Sequence, residues 1–502
     1  MVFKKSLDLL LLEASESGDN TLKRTLGPGN LIALGIGAII GAGLFVRTAA
    51  AAADHAGPAV TFGFILAAVG CALAGLCYAE FSSMIPIAGS AYTYSYATMG
   101  EVVAWVIGWD LVLEYALGAA TVSIAWSEYL NKLLQSSFGI SVPYEFCHSP
   151  FQVSADGIHG LINLPALVII SIITLVLVRG IEESTVVNNI MVILKVAVVI
   201  AFISIGWGYM NPSNHVPYIP VNIGETKWMS GQISFWEYIT GNNFGKFGWS
   251  GIITSAGVVF FAFIGFDAIS TAAQECKNPK RDMPIGILVS LGVCTILYVL
   301  FGHVLTGIAN YEEFAGPGKE ASVAYTVATY MHHYPWLSTL VTVAILAGFT
   351  SVMLVMLLGQ SRVFFSMSKD GLVPKVFSAL HPKFKTPYKS NYIFLVFVGM
   401  FSAFVPGDVV GDMTSIGTLF AFSLVCLGVL ILRKTDPGRH RPFKTPFMPI
   451  VPILGILVCV TMMLGLGKNN WERLFIWMAI GFVIYFTYGI RNSIVRKAEQ
   501  SN

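Results

Sequence analysis

The stretch GNLIALGIGAIIGAGLFVRTA, residues 29–49, decides how this chain is interpreted. It is apolar and long enough to cross a bilayer as a helix of roughly 20 residues. Four glycines crowd its middle, and Gly41-Ala42-Gly43 is its most flexible point. One interpretation is a helix interrupted near the membrane midplane, since glycine marks such interruptions. The alternative is close packing against a neighbouring helix through the small residues Gly37 and Gly41.

The composition of the whole chain indicates a membrane protein with many spans. Of 502 residues, 55% are hydrophobic and 12% are charged, with a net charge of +2, and the mean hydropathy is +0.70. A soluble domain carries roughly 25% charged residues, so we expect an all-α polytopic membrane protein. The charge balance excludes a nucleic-acid partner. The seven cysteines form no CxxC motif. The sequence shows no catalytic, metal-binding or Walker motif, so we predict that the protein is not an enzyme and has no cofactor.

Apolar stretches predict about twelve transmembrane helices, which places both termini on one side of the membrane. Of the 30 lysines and arginines, 22 fall on the terminal side and 6 on the opposite side. The positive-inside rule therefore predicts cytoplasmic termini. The predicted spans are 30–55, 58–79, 100–132, 161–179, 188–208, 251–275, 284–309, 336–366, 391–405, 410–432, 448–466 and 473–491.

The order of these spans predicts an inverted repeat. Residues 30–208 and 251–432 each contain about five spans, and because five is odd the second block must cross the membrane upside down. Around them we expect a cytoplasmic amphipathic segment (1–29), an extracellular loop ordered by its aromatic residues (209–250), two further spans with a preceding basic loop (433–491) and a cytoplasmic tail (492–502).

The sixth span, GIITSAGVVFFAFIGFDAISTAAQE (251–275), opens the second block and carries a second candidate interruption at Gly265. Asp267 follows it and is predicted to cap the restarting helix. Paired interruptions favour a binding site between the blocks. N–H groups exposed after Gly43 suit a carboxylate, and carbonyls exposed near Phe261 suit an ammonium group. A zwitterionic amino acid satisfies both.

A charged residue inside a transmembrane span needs a structural or functional explanation. Inserting it into the membrane costs at least roughly 2.5–3.5 kcal/mol of free energy on insertion scales. Lys195 either extends its ammonium group to the membrane surface or sits desolvated and carries a coupled proton. Asp110 and Glu114 share a face of the third span; they pair with another helix, or Glu114 senses substrate or exchanges protons near Lys195. Arg47 is either an extracellular-gate contact or an interfacial anchor.

Thr350 and Ser351 place hydroxyl groups in the eighth span, within GFTSVMLVMLLGQ (348–360). Three interpretations stay open for them. The hydroxyls bond back to helix carbonyls, line a pocket wall, or bind a coupling Na⁺.

The chain resembles the amino acid–polyamine–organocation (APC) transporters, and within them the cationic amino acid transporter subfamily. The resemblance runs in order through nearly the whole chain. It implies a LeuT-type fold, in which five spans and five inverted spans precede two more helices. The matching segments are GAIIGAGLF (37–45), YAEFSSMIPIAGSAYTY (78–94), FFAFIGFD (260–267), NPKRDMPIGI (278–287), SRVFFSMSKDGLVP (361–374) and DMTSIGTLFA (412–421).

The resemblance also implies a site and a mechanism. Lys195 matches a lysine that takes the place of a sodium ion in proton-coupled members of the family. We therefore expect a proton-coupled symporter of cationic or small neutral L-amino acids in the plasma membrane; the alternative is a sodium-coupled symporter or an exchanger. Its partners would be the amino acid, the proton and membrane lipid, and the sequence identifies no small partner protein. The implied substrate contacts are the backbone at Ile40, Gly41, Ala42, Gly43, Phe261, Ala262 and Ile264, and the side chains of Glu114 and Ser351.

Overall fold

The computed structural model is a bundle of helices. It describes residues 3–6, 10, 26–85, 87, 89–154, 156–179, 184–223, 246–273, 276–315, 322–331 and 335–500. Within those ranges the regular structure is helical, with two isolated bridges and no sheet. Most of the predicted amphipathic segment 1–29 and the middle of the loop 209–250 lie outside the described residues.

Every predicted apolar stretch coincides with helix, so the all-α membrane class is confirmed. Among the described residues, eight helical stretches are long and apolar enough to cross a membrane. The number of crossings and the inverted repeat stay predictions. The helices used below are α1 Pro28–Ile39, α2 Val60–Met84, α3 Ser90–Thr98, α4 Glu101–Val112, α5 Gly118–Phe138, α6 Leu164–Arg179, α7 Ser184–Gly206, α8 Gly248–Val259, α9 Ala268–Thr271, α10 Pro279–Ile308, α11 Ser322–Tyr330, α12 Pro335–Lys369, α13 Tyr388–Phe404, α14 Gly407–Thr435, α15 Ile450–Gly465 and α16 Lys468–Ile484.

Both predicted helix interruptions are present. The helix α1 ends at Ile39, Ile40 is extended with ψ 102°, and a π-helical turn begins at Gly43. In the second block α8 runs into a 3₁₀ turn that ends at Phe263, after which Ile264 is extended with ψ 136°. Gly265 follows with φ +112°, a conformation that side chains with a Cβ rarely adopt. Glycine is therefore required at the second interruption.

The two interruptions pack directly against each other. A Cβ built on Gly43 would lie 2.2 Å from the Cα of Ala262, and one on Gly265 would lie 3.0 Å from the carbonyl oxygen of Ala38. Both neighbours are backbone atoms, which cannot rotate away. The glycines thus let two unwound main chains touch in the middle of the bundle.

A buried network ties the two chain termini together at one end of the bundle, here called the terminal side. Glu101, at the start of α4, accepts hydrogen bonds from Arg496 (2.6 Å) and Tyr485 (2.8 Å) and also from Ser493. Its backbone N–H donates to the carbonyl of Phe3 (2.8 Å), and the Arg496 guanidinium lies 4.3 Å from the centre of the Phe3 ring. Residues from both ends of the chain therefore close this side.

At the opposite end, an ion pair links the first and second blocks. Arg47, one turn beyond Gly43, pairs with Asp412 in α14. Arg47 is only 7% exposed. The pair supports the gate interpretation of Arg47 over that of an interfacial anchor.

Candidate functional site

Lys195 in α7 is bonded to the first helix interruption. Its ammonium nitrogen donates to the carbonyls of Gly37 (2.7 Å) and Ile40 (3.1 Å) and to the hydroxyl of Ser351 (3.3 Å). The residue is 1% exposed, which supports the interpretation of a desolvated lysine over that of one extending to the membrane surface. An ammonium group has three N–H donors, and three oxygens receive them here.

The structure makes room for this lysine through a glycine of α12. A Cβ on Gly348 would lie 3.0 Å from Cε of Lys195. The carbonyls that Lys195 contacts belong to the end of α1, where helix carbonyls lack intrahelical partners and carry the negative end of the dipole. A protonated Lys195 is therefore stabilised by oriented dipoles; among the described residues no carboxylate pairs with it.

The backbone after Ile40 carries the N–H groups that are predicted to bind a carboxylate. The N–H of Ile40 donates to Ile36 and closes α1 (3.0 Å), so it is already used. Gly41, Ala42 and Gly43 stand at the start of the restarting helix, and the first N–H groups of a helix have no intrahelical acceptor. All three residues are buried.

The carbonyls of the second interruption are partly occupied by other groups. The carbonyl of Phe261 accepts the N–H of Ile264 at 3.3 Å. The hydroxyl of Tyr298, in α10, lies 2.9 Å from the carbonyl oxygens of both Ala262 and Ile39. Each carbonyl has a second lone pair for a substrate amine. The sequence analysis missed Tyr298, because one more tyrosine in an apolar span carries no signal of its own.

Glu114 faces the second interruption rather than Lys195. It lies in a π-helical turn between α4 and α5 and is fully buried against Asp267. Its carboxyl oxygens meet no partner with good hydrogen-bond geometry among the described residues, but Asp267 and the hydroxyl of Thr418 lie close to them. Among the described residues no hydrogen bond joins Glu114 to Lys195, so the predicted proton exchange between them has no direct contact to support it. The carboxyl group lies instead beside Asp267 at the second interruption.

Asp267 does not cap the restarting helix as predicted. It occupies the N-cap position of α9 without a side-chain hydrogen bond to that helix. Its carboxylate instead accepts a hydrogen bond from the hydroxyl of Tyr115. The short helix α9 has only one turn of N–H groups to bind the carboxylate. The tyrosine approaches from the neighbouring span and donates its hydroxyl to the carboxylate instead.

The remaining predicted side chains divide between structural and site positions. Thr350 bonds back to the carbonyl of Leu346 (2.9 Å), as a helix hydroxyl commonly does. Ser351 accepts from Lys195 and joins the site. Asp110 is buried beside Gly417 of α14, and neither of its carboxyl oxygens has a partner among the described residues.

Together these positions form a closed central site. Every predicted contact residue is 5% exposed or less, or is a buried glycine. Its parts are two touching main-chain interruptions, a lysine bound to the carbonyl end of α1, and a pair of carboxyl groups beside the second interruption. A buried site lined by main-chain donors and acceptors suits a small zwitterion.

Comparison with known proteins places the whole chain among carriers. A family model described as amino acid permease matches residues 26–487. The chain is 44% identical over 490 residues to the branched-chain amino acid permease BcaP of Bacillus subtilis, covering 98% of both chains. It is 39% identical to the methylthioribose transporter of the same organism, covering 98% of this chain and 99% of that one. The vacuolar cationic amino acid transporter 4 of Arabidopsis thaliana is 32% identical, with 99% and 97% covered.

Proposed function

The chain belongs to the amino acid permease family, and from this premise we propose that it is a proton-coupled L-amino acid symporter that works by alternating access. Membership makes it a multi-pass membrane transporter of amino acids rather than an enzyme. The coupling ion, the substrate side chain and the transport cycle are the new elements of the proposal.

The substrate backbone would bind between the two interruptions. Its carboxylate would accept hydrogen bonds from the N–H groups of Gly41, Ala42 and Gly43. Its ammonium would donate to carbonyls around Phe261, Ala262 and Ile264. The contact between Gly43 and Ala262 supports this arrangement, because it brings the donors and acceptors of one amino acid backbone together.

The contacts of Lys195 carry the proposal of proton coupling. Two carbonyls and a hydroxyl surround its nitrogen, and an oxygen set of this kind would also suit a hard cation such as Na⁺. The lysine ammonium fills this position, which supports proton coupling over sodium coupling. Protonated Lys195 would hold α1 against α7 and α12 and favour substrate binding. Release of the proton would loosen α1 and open the path to the cytoplasm.

The side chain of the substrate is proposed to be neutral and aliphatic. Val352 of α12 borders the first interruption, since a Cβ on Gly41 would lie 3.1 Å from its Cγ2. The relative named as a branched-chain amino acid permease supports the same choice. A second candidate is a cationic amino acid, and the observation that favours it is Glu114, whose buried carboxyl group lies beside Asp267 at the second interruption.

The proposal includes the topology predicted from the sequence. Blocks 30–208 and 251–432 would form the inverted repeat, and the protein would lie in the plasma membrane with both termini cytoplasmic. The distribution of lysine and arginine supports that orientation. The network of Phe3, Glu101 and Arg496 supports placing both termini on one side.

Uptake by purified protein in liposomes tests the function. The panel contains labelled isoleucine, alanine, lysine, arginine and methylthioribose, each offered with an inward proton gradient, an inward Na⁺ gradient or no gradient. We expect saturable accumulation of isoleucine that the proton gradient drives in the absence of Na⁺. Accumulation that needs Na⁺, or movement seen only as exchange against preloaded amino acid, would contradict the proposal.

A further inference from the structure

Residues 207–220, here called the outer strap, lie across the end of the bundle opposite the terminal side. The strap follows α7 and is fastened to the last turn of α10. The N–H of Asn211 and the side-chain amide of Asn214 both donate to the carbonyl of Gly307, each at 2.9 Å. The strap thus ties the end of α7 to the end of α10. It contains none of the groups that the proposed transport cycle uses.

Two histidines meet where the strap crosses α10. His215 belongs to the strap and His303 to α10, and their ring centres are 4.6 Å apart. Both side chains are half-buried. Nε2 of His215 lies 3.1 Å from Oγ1 of Thr306, which donates its own proton to the carbonyl of Gly302 (2.9 Å) and so accepts from the imidazole. Nδ1 of His303 lies 3.3 Å from the hydroxyl of Tyr218. The docked strap therefore holds two imidazole rings against each other.

Tyr218 and Pro220 extend the strap to α2. The hydroxyl of Tyr218 lies 2.7 Å from Oγ1 of Thr61, and its ring centre lies 5.7 Å from that of Phe62. Pro220 packs on Gly57, where an added Cβ would lie 2.6 Å from Cγ of the proline. The strap therefore joins α10 to the segment that leads from the first interruption into α2. Releasing the strap from α10 would free that segment to move.

Among the described residues no carboxylate pairs with the two histidines. The other titratable groups on the segments around them are Asp54, His55, Tyr209, Tyr218, Glu312 and Glu313. Within the described part of the chain, only Tyr218 is hydrogen-bonded to either histidine. Glu313 instead accepts from the hydroxyls of Tyr325 and Tyr330. Two protonated imidazoles would therefore face each other here without a counter-charge.

Protonation of the pair opposes docking of the strap. Histidine is the side chain whose ordinary pKa lies closest to neutral pH. Burial under the strap, and then the neighbouring His303, lower the pKa of His215 below its ordinary value. Because this pKa is lower in the docked strap than in a released one, docking is strongest at neutral pH and is weakened as the pH falls. Two positive charges 4.6 Å apart also repel each other. Acid therefore favours release.

We propose that the outer strap is a pH-sensitive lock, docked on α10 while His215 and His303 are neutral and released when acid protonates them. The proposed orientation places the lock outside the cell. Its release would free the segment between the first interruption and α2. The lock itself depends only on the strap and α10. Its expected effect on uptake, a faster outward opening in acid, rests on the proposed function, in which external protons drive transport.

Hydrogen exchange of the purified full chain in detergent tests the lock. Exchange of residues 207–220 is followed at about pH 5 and at about pH 7.5, on either side of the ordinary pKa of histidine. Labelling times are scaled for the pH dependence of the chemical exchange step. The variants H303Q and H215Q each remove one imidazole and keep a polar side chain. The matched control is H159Q, which removes an exposed histidine from the loop between α5 and α6, also predicted to be extracellular. Thermal unfolding establishes that each variant is folded.

In wild type and H159Q, the strap should exchange roughly tenfold faster or more in acid than at neutral pH. Docking that lowers the pKa of one histidine by one unit is weakened about tenfold once that histidine is protonated. In H303Q and H215Q exchange should stay slow at both pH values. No acid response in wild type, or an equal response in H303Q and H215Q, would overturn the proposal. Fast exchange of both variants at neutral pH would also overturn it, because the histidines would then only hold the strap in place.

This experiment is independent of the proposed transport function. It measures exchange of the strap and not uptake, so a failure of proton-driven uptake leaves its result unchanged. Conversely, a strap that ignores pH would overturn the lock while proton-driven uptake could still be observed.

Discussion

At the scale of single residues, the glycines of the first interruption lie at positions with little room for a side chain. Gly43 approaches the backbone of Ala262 so closely that a methyl group would overlap it. Overpacking of this kind costs roughly 1–3 kcal/mol, and more where nothing can move. The interruption therefore depends on the absence of a side chain at one position, in addition to the flexibility of glycine.

Gly43→Ala should abolish uptake while the protein still inserts in the membrane. The added methyl group forces the two interruptions apart and misplaces the substrate donors and acceptors. Labelled isoleucine uptake measures the effect. Gly29→Ala is the control, because a Cβ there meets nothing within 4 Å, and it should transport like wild type. Normal uptake by Gly43→Ala would show that the contact is not part of the site.

Sequence alone identified these glycines and Lys195, but not the partners of the charged residues. Lysine in an apolar span is improbable enough to be noticed, and glycine is conspicuous for its conformational freedom. The acceptors of Lys195 lie more than 150 residues away in the chain. Asp267 is hydrogen-bonded to Tyr115 instead of to its own helix. Such pairings depend on which helices pack together, and the periodicity of the sequence does not encode that packing.

At the scale of helices, Tyr298 links α10 to both interruptions. Its hydroxyl lies at hydrogen-bond distance from the carbonyls of Ile39 and Ala262. The oxygen can donate its single proton to one of them at a time. A hydroxyl group that contacts the ends of both half-helices limits the distance between these two ends.

Tyr298→Phe should weaken both stability and substrate affinity. A buried carbonyl that loses its donor costs about 1–3 kcal/mol, so the melting temperature in detergent should fall and the KM for isoleucine should rise. Tyr392→Phe is the matched control: Tyr392 is 42% exposed in α13 and should tolerate the change. An unchanged KM in Tyr298→Phe would remove Tyr298 from the site.

The ion cluster at the end of α2 links this helix to α14 and to the loop that follows α14. Glu80 is 1% exposed and receives two hydrogen bonds from Arg433 (2.9 and 2.8 Å) and one from the N–H of Thr445 (2.8 Å). A buried carboxylate of this kind holds α2, α14 and the basic loop together. The sequence shows charged residues near the ends of the spans but does not indicate which of them form ion pairs.

Glu80→Gln should destabilise the protein by roughly 3 kcal/mol, because it leaves the buried guanidinium group of Arg441 without a counter-charge. Thermal unfolding in detergent measures the loss. Glu472→Gln removes the exposed pair with Lys468, at 3.5 Å and about half exposed, and should change stability by less than about 1 kcal/mol. Equal effects in the two variants would show that the Glu80 cluster contributes little.

At the scale of the whole molecule, separate links tie helices together at the two ends of the bundle. Arg47 and Asp412 pair at one end, and the network of Glu101 and Arg496 lies on the terminal side. The proposed alternating access requires that each link break while the other holds. The even number of predicted spans and the basic loops indicated which ends face which side; the links themselves join residues that lie far apart in the chain.

Breaking each link should therefore open opposite ends. In Asp412→Asn, amide hydrogen exchange should rise around residues 48–56, beyond the first interruption. In Arg496→Gln it should rise around α1 and the start of α4 instead. Arg491→Gln, an exposed change in the same tail, should leave both regions as in wild type. The same exchange pattern in Asp412→Asn and Arg496→Gln would mean that the two links do not guard separate ends.

The central claim is that Lys195 carries the coupled proton, and uptake by Lys195→Met in liposomes tests it most directly. Isoleucine uptake is measured with and without an inward proton gradient, alongside exchange against preloaded isoleucine. The account predicts gradient-driven accumulation by wild type, its loss in Lys195→Met, and exchange that survives in the variant. Accumulation by Lys195→Met that still follows the proton gradient would contradict the account.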